Sequence, residues 1–282
     1  MTQLLLGFLF AVLIAYAAYR AHSLSKSGAL GALLEGTIIF GLGGWQWAVL
    51  LLGFFISSSV LTRLFRKQKA ALNEKFDKGG VRDIGQVLAN GGIAALFAGL
   101  HFFFPAASWT WAGFAASLAA VNADTWATEL GVLNPSMPRL ITNGKPVERG
   151  ASGAVSLYGT LAAAGGAAFI ALLAVLVTPS LHLPSSPPLL FSSSPLLSSL
   201  LLFVFLLFSG FLGSLFDSLL GATVQAIYHC PQCDKETEKH PVHTCGARTV
   251  QVRGWRWLNN DLVNLACALM GAAVMVALAL VA

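Results

Sequence analysis

The sequence is poor in charge and lacks the usual marks of a soluble enzyme. Only 10% of its 282 residues are charged, whereas soluble domains carry about 25%, and the mean hydropathy is +0.73. The phosphate-binding motif G-x-x-x-x-G-K-[ST] is absent, which excludes a nucleotide-binding fold of the soluble P-loop type. No basic segment precedes the first apolar run, so we expect that run to be a retained helix and not a cleaved signal peptide.

Long apolar runs predict an all-α, polytopic membrane protein. Eight runs approach the ~20 residues that a bilayer requires. We therefore predict one integral-membrane domain over residues 1–282, built as a bundle of about eight transmembrane helices. The predicted spans are 3–19, 27–44, 46–65, 84–104, 108–131, 153–177, 197–226 and 261–282.

Basic residues are missing from every second loop of this predicted topology. All 17 Lys and Arg residues fall in or beside the loops after the first, third, fifth and seventh spans. By the positive-inside rule those loops are cytoplasmic. The pattern therefore predicts that both termini lie outside.

Polar side chains collect at the end of the fifth predicted span. At 100° per residue, five of them share one arc of about 160°: Asn122, Asp124, Thr125, Thr128 and Glu129. Carboxylates in a membrane helix are costly unless they face protein, water or a cation. A polar packing seam is the alternative, but five polar groups exceed what packing needs.

A basic, glycine-rich loop follows this helix. It contains Thr142, Lys145 and Arg149 and ends at Ser152, where we expect an N-cap and the start of the next helix. A helix N-terminus favours phosphate, and the preceding acids can hold a metal ion. Together they suggest phosphate chemistry at a membrane surface.

A second polar segment precedes the fourth predicted span. Lys78, Arg82 and Asp83 lead into a helix start, and Gln86 and Asn90 follow at a spacing of four residues on that helix. The dipole and free N–H groups of the helix start favour phosphate there. An ordinary capped helix with a solvated basic loop is the alternative.

Further acids lie in or beside other spans. Asp217 stands on a stripe of small residues near the end of the seventh span, and Asp261 lies between Asn260 and Asn264 at the start of the eighth. We assign them to the same site; structural hydrogen bonding and N-capping are the alternatives. Glu35 lies alone in the second span and fits a structural or a site role equally.

Three of the four cysteines cluster in residues 229–246. Cys230 and Cys233 form a C-x-x-C pair, and His243 and Cys245 complete a Cys₃His set that suits tetrahedral Zn²⁺. His240 is a substitute ligand, and a pair of free thiols is the alternative. Because protein ligands fill all four positions, we expect a structural zinc inserted in a cytoplasmic loop.

The motifs together resemble one integral-membrane family. K-G-G-V-R-D-I-G-Q-V-L-A-N-G, N-A-D-T-W-A-T-E-L-G, P-R-L-I-T-N-G-K, G-A-S-G-A-V-S-L-Y-G-T-L-A and W-L-N-N-D-L-V-N occur in matching order from Ser27 to the C-terminus. The chain is similar to the family that includes plant and cyanobacterial phytyl-phosphate kinase and many members of unknown function. That family is distantly similar to CTP-dependent polyprenol kinases and phosphatidate cytidylyltransferases. Ala151 departs from the pattern, which has Thr there.

The resemblance implies transfer of a phosphoryl group from CTP, or another nucleoside triphosphate, to an isoprenyl monophosphate such as phytyl phosphate. We expect Mg²⁺ on Asp124 and Glu129, with Asp217 or Asp261 assisting and Asn122 nearby. The phosphates and polar head groups are assigned to a second set: Lys78, Arg82, Asp83, Gln86, Asn90, Thr128, Thr142, Lys145, Arg149, Ser152, Asn260 and Asn264.

The expected partners are an isoprenyl phosphate, a nucleoside triphosphate and membrane lipids, with no nucleic acid; a homo-oligomer stays open. The Cys/His segment is typical of prokaryotic members, so we expect a prokaryotic inner membrane with the site on its cytoplasmic side. A lipid-phosphate transporter or flippase, a cytidylyltransferase and a noncatalytic scaffold are the rival functions. A transporter would need polar residues or broken helices near the midplane.

Overall fold

A computed structural model describes residues 2–69, 79–178 and 195–281 as a helical bundle with two small sheets. The helices are α1 (Thr2–Arg20), α2 (Lys26–Ile38), α3 (Trp45–Leu64), α4 (Arg66–Lys69), α5 (Ile84–Phe103), α6 (Ser108–Gly131), α7 (Leu157–Val177), α8 (Pro195–Thr223) and α9 (Asn260–Val281). A π-turn at Ile39–Gly43 follows α2. The strands are β1 (Arg139–Leu140), β2 (Ala154–Val155), β3 (Ile227–Cys230), β4 (Lys235–Thr237) and β5 (Val250–Arg253).

The prediction of a polytopic helical membrane protein is confirmed. Six of the described helices are long and apolar enough to cross a membrane: α1, α3, α5, α7, α8 and α9. Helix α2 is short and ends in the π-turn, and α6 carries the polar motif that lowers its hydropathy. The total of eight spans and the outside location of the termini stay predictions.

Helix α6 is the central helix of the bundle. It packs against α3, α5, α7, α8 and α9, and its residues from Thr110 to Ala123 are all buried. Most of these residues are small, which lets neighbouring backbones approach closely. On α8, a methyl group added at Gly210 would lie 2.8 Å from Cβ of Ala119. Close packing of this kind holds the end of α6 in a fixed position among five helices.

The loop between α6 and α7 is shaped by a short antiparallel pairing. Strand β1 pairs with β2, with Arg139 opposite Val155 and Leu140 opposite Ala154. The prediction that α7 starts after an N-cap at Ser152 is wrong, because this pairing holds residues 154–155 extended. The helix begins at Leu157, and Ser156 is its N-cap, accepting a hydrogen bond from Gly159 N at 3.1 Å.

A three-stranded antiparallel sheet fills the connection between α8 and α9. Its strand order is β4-β3-β5, and the turns around β4 carry the predicted cysteine cluster. Gly254 closes the sheet with φ +80, and its Cα faces the backbone of Gln225 at the end of α8. The sheet is therefore fastened directly to the end of a long helix.

We predict that Gly153→Ala destabilises the protein more than Gly144→Ala does. Both glycines belong to the α6–α7 loop and have left-handed φ angles, +79 and +67. A side chain at Gly144 meets nothing within 4 Å, whereas a methyl group at Gly153 overlaps the backbone of Ala222 on α8.

Gly144→Ala should therefore cost only the left-handed conformation, about 1 kcal/mol, and Gly153→Ala a further overpacking penalty of about 1–3 kcal/mol. Thermal unfolding of the two purified variants in detergent measures the difference. Equal shifts in Tm would contradict the packing of this loop on α8.

Candidate functional site

The ends of six long helices surround a polar cavity of about 960 Å³. The C-terminal ends of α3, α6 and α8 and the N-terminal ends of α5, α7 and α9 all contribute residues. Most of the predicted site residues line this polar cavity: Arg82, Gln86, Asn90, Asp124, Thr128, Glu129, Arg149, Ser152, Asp217, Asn260, Asp261 and Asn264. Segments far apart in sequence therefore meet at one end of the bundle.

Acidic side chains from three elements lie in the wall of the polar cavity. Asp124 on α6 accepts a hydrogen bond from Ser214 on α8. The charge of Asp217 interacts with those of Asp124 and Glu238, and Asp217 Oδ2 is buried with no hydrogen-bond partner among the residues described. Acids that share a buried site repel one another, and a bound cation or a proton relieves this repulsion. Oxygen donors of this type suit Mg²⁺.

Glu129 has a different environment, because it is surrounded by cations. Its Oε1 lies 2.9 Å from Nζ of Lys69 and accepts a hydrogen bond from Thr62 Oγ1 at 2.8 Å. The carboxylate also interacts with Arg82. Burial lowers the pKa of Arg82 to about 10, and the charge of Glu129 opposes that change. Arg82 therefore keeps its positive charge at neutral pH. The negative charge of Glu129 is balanced by the cations around it.

The start of α7 forms another part of the cavity wall. Ser156, Gly159 and Thr160 line the cavity there, so the positive end of a 21-residue helix faces the polar space. Arg149 is tied to the loop by its Nη2, which donates to Pro135 O at 2.8 Å. The positive end of the α7 dipole and the charge of Arg149 therefore favour an anion such as phosphate at this part of the wall.

Ser152 contributes to the wall in a way that the sequence did not predict. Its Oγ donates to Glu238 Oε1 at 2.8 Å, and Gln225 Nε2 donates to the same oxygen at 2.9 Å. Glu238 comes directly after β4, so these bonds fix an acid of the small sheet against the cavity.

Asn122 and Asp83 were predicted as site residues, but in the structure each has a structural role instead. Asn122 is fully buried; its Nδ2 donates to Gly166 O at 2.8 Å and its Oδ1 accepts from Ser57 Oγ at 3.1 Å, tying α6 to α7 and α3. Asp83 caps α5 in a reciprocal capping box with Gln86. The alternative interpretation of a capped helix therefore describes Asp83 correctly.

Thr142 and Lys145 also lie outside the cavity wall. Both are exposed in a tight turn in which Leu140 N donates to Lys145 O at 2.9 Å. The pairing of β1 with β2 directs this turn away from the cavity. Lys78 falls outside the described residues, so its predicted role stays a prediction.

Several polar wall residues were missed from the sequence, among them Thr62, Lys69, Ser214 and Glu238. Lys69 belongs to a basic run that is typical of headgroup contact, and Ser214 belongs to a stripe of small residues. Glu238 lies in the cysteine-rich loop, where charged residues normally face solvent. Only the way the sheet packs against the bundle brings Glu238 to the site.

The predicted metal ligands of the small sheet do come together. One donor atom each from Cys230, Cys233, His243 and Cys245 lies within 4.8 Å of the others. Cys230 Sγ and Cys245 Sγ are 3.5 Å apart, and His243 Nδ1 is 3.3 Å from Cys245 Sγ and 3.6 Å from Cys233 Sγ. These lengths suit the edges of a tetrahedron around Zn²⁺, with bonds of about 2.3 Å to sulfur and about 2.0 Å to nitrogen. His240 instead stacks on Tyr228.

Comparisons with known proteins agree on one family. The family model described as integral membrane protein DUF92 matches residues 9–272. Protein PGR of Arabidopsis thaliana is 32% identical over 95% of this chain and 93% of its own length. The uncharacterized membrane protein MJ0933 of Methanocaldococcus jannaschii is 35% identical over 62% of this chain and 71% of its own length.

A more distant relative is Protein VTE6, chloroplastic, of Arabidopsis thaliana, 26% identical over 89% of this chain and 64% of its own length. No solved structure matches the chain significantly.

We predict that Glu129→Gln lowers the free energy of unfolding by about 1–3 kcal/mol, because it leaves two buried cations without their shared carboxylate. The side chains of Lys69 and Glu129 are only 16% and 6% exposed. Glu236→Gln, the same change at an exposed position on β4, should stay within about 0.5 kcal/mol. Thermal unfolding in detergent checks both, and similar Tm values for the two variants would contradict a stabilising role for Glu129.

Proposed function

The chain belongs to the DUF92 family of integral membrane proteins, and on that premise we propose that it is a membrane-embedded lipid-phosphate kinase. It transfers a phosphoryl group from a nucleoside triphosphate, CTP by the family resemblance, to an isoprenyl monophosphate such as phytyl phosphate. The observation that carries this proposal is the polar cavity, whose wall combines acids, cations and the N-terminal end of a helix at one end of an apolar bundle.

The size and charge of the polar cavity fit a nucleoside triphosphate. Ligand sites of small molecules occupy about 300–1,000 Å³, and the cavity has about 960 Å³. Arg82, Arg149 and the start of α7 supply positive charge for phosphate oxygens. In phosphoryl transfer, positioning and electrostatic stabilisation do most of the work.

In this proposal Asp124 and Asp217 hold the magnesium ion, with Glu238 beside them. The unpartnered Oδ2 of Asp217 supports this choice, whereas Glu129 is already paired with Lys69. When bound, Mg²⁺ neutralises charge on the terminal phosphates. An oxygen of the lipid phosphate forms the new bond to the γ-phosphorus, the bond to the bridging β–γ oxygen breaks, and a nucleoside diphosphate leaves. The lipid phosphate is already a nucleophile, so little base catalysis is needed.

We assign Zn²⁺ to the Cys₃His cluster as a structural ion. Its four donor atoms are close enough for one ion, and four protein ligands leave no position open for catalysis. Bound metal would stabilise the fold of residues 229–246 as an insert of the membrane domain.

We place the polar cavity on the cytoplasmic side of the membrane. The helix ends that form it are the ends beside which all Lys and Arg residues were found in the sequence. A prokaryotic inner membrane is the proposed location, and the nucleotide pool is then on the correct side.

We predict that Asp124→Asn lowers turnover at least about a hundredfold while the protein stays folded, since one carboxylate of the cation site is lost. Asp234→Asn is the matched control: it is exposed, lies outside the cavity wall, and has φ +51, which Asn tolerates. The assay uses labelled CTP or ATP, a panel of isoprenyl phosphates, and product analysis with and without Mg²⁺.

The products separate the rival functions. Isoprenyl diphosphate with nucleoside diphosphate supports the kinase, and release of pyrophosphate would support a cytidylyltransferase instead. Unchanged turnover in Asp124→Asn would remove the proposed cation site. Transbilayer movement of lipid phosphate in vesicles without any nucleotide product would support a transporter.

We predict one zinc ion per chain in purified protein, measured by atomic spectroscopy. Cys233→Ser should lower the zinc content and the Tm together, because the cluster loses one of its four ligands. Cys267→Ser removes a thiol that lies in α9 and outside the cluster, and should leave the zinc content unchanged. Equal zinc content in both variants would contradict the assignment.

A further inference from the structure

A second, apolar groove reaches the polar cavity from the side of the bundle. We call it the tail groove; it is bounded by α1, α2, α3 and α5. Its walls are almost entirely apolar or aromatic, including Phe10, Phe40, Leu51, Phe54 and Phe55. Three residues line both the tail groove and the polar cavity: Arg82, Gln86 and Asn90. The two spaces therefore lie on either side of these three side chains.

The side chain of Arg82 lines both the tail groove and the polar cavity. Its guanidinium group lies 5.8 Å from the ring centre of Phe54 and 5.6 Å from that of Phe55, in the wall of the groove. Its Nη1 donates to Ser59 Oγ at 3.3 Å, which leaves most of its five N–H donors unengaged within the part of the chain described here. A phosphate with an apolar tail has the same two-sided chemistry.

The tail groove encloses about 90 Å³, which limits how much of a tail it can hold. Helix α1 packs mainly on α2 and the π-turn, whereas α3 packs mainly on α6 and α7. The groove lies between α1 and α3, and α2 and α5 also contribute to its wall. Along α3 its wall runs from Phe55 beside Arg82 to Ala48, seven residues or about 10 Å.

The far end of the groove is formed by irregular backbone. Phe40 belongs to the π-turn that interrupts the second apolar segment. Such turns occur mostly at functional sites. A continuous α-helix would turn Phe40 to a different face, so the π-turn shapes the end of the groove.

Glu35 is the one acidic residue in the groove wall. It is 4% exposed, and its Oε1 has no hydrogen-bond partner among residues 2–69, 79–178 and 195–281. Its carboxyl group packs against Gly91, where any side chain would overlap it. Because Gly91 follows Asn90, the unpartnered oxygen lies near the junction with the polar cavity. A carboxylate here would repel a phosphate oxygen, whereas a protonated carboxyl group can donate a hydrogen bond to it.

We propose that the tail groove binds the hydrocarbon tail of the lipid acceptor and that Arg82 holds its phosphate at the mouth of the polar cavity. This inference rests on the proposed function and adds the location and the length limit of the acceptor. The phosphate then lies between the tail and the nucleotide site, where an in-line attack on the γ-phosphorus can occur. The tail lies parallel to α3 and reaches toward Ala48.

The first test shortens the groove from its far end. Ala48→Phe fills the space beside Phe40, so kcat/KM should fall at least about tenfold for a twenty-carbon isoprenyl phosphate. It should be little changed for a five-carbon one, whose tail is too short to reach Ala48, and KM for the nucleotide should stay the same. Ala17→Phe is the matched control, because Ala17 is exposed on α1 outside the groove. Equal activity of the Ala48 variant on both tails overturns the proposal.

A second test works without turnover and without a variant. Wild-type protein in detergent is irradiated with a twenty-carbon isoprenyl phosphate that carries a diazirine at the tail end, and labelled peptides are identified by mass spectrometry. Label on α1 and on the first half of α3 is expected, and an excess of unlabelled isoprenyl phosphate should remove it. Label confined to the outer faces of α7, α8 and α9 overturns the tail groove, whatever the activity. Label in the groove without formation of isoprenyl diphosphate overturns the kinase and keeps the groove.

Discussion

Carboxylates in an apolar helical bundle are stable only where water, a cation or a hydrogen-bond donor compensates their charge, and this cost governs the placement of polar residues here. Asp124, Asp217 and Glu129 all lie on helices of the bundle, and all three reach the same polar cavity. Their environments nevertheless differ. Lys69 forms an ion pair with Glu129 and Thr62 donates a hydrogen bond to it, whereas Asp217 retains an oxygen without a partner among the described residues. The first environment stabilises the fold, and the second is one that a bound cation would complete.

The apolar half of α6 makes this placement possible. Small residues from Ala112 to Ala120 allow α8 and α9 to approach closely, as the contacts of Gly210 and Gly271 with the α6 backbone show. Farther along the same helix, Asn122 bonds to Ser57 and to the backbone of Gly166. Within one turn beyond Asn122, side chains of α6 line the cavity. Packing, structural hydrogen bonds and the candidate site therefore follow one another along a single helix.

Sequence reasoning located the long helices and many of the polar residues of the cavity wall because both depend on local patterns. Apolar length and the spacing of Asp124 and Glu129 on one arc can be read directly from neighbouring residues. It failed where a long-range contact decides the outcome. The arc of α6 could not show that Asn122 faces α3 and α7, and Ser152 was as good a cap as Ser156 until β2 paired with β1. Glu238 reaches the cavity only through the docking of a sheet that no periodicity predicts.

Glu238 also connects the two parts of the molecule that seemed separate in the sequence. It comes one residue after β4, whose partner strand β3 ends at Cys230 of the four-residue cluster. The same carboxylate accepts hydrogen bonds from Ser152 in the α6–α7 loop and from Gln225 after α8. The cluster, β4 and Glu238 are thus joined along one short stretch of chain, and Glu238 places its charge beside Asp124 and Asp217. The small sheet is in this sense part of the cavity wall, and its Cys₃His cluster is linked to the site through one carboxylate.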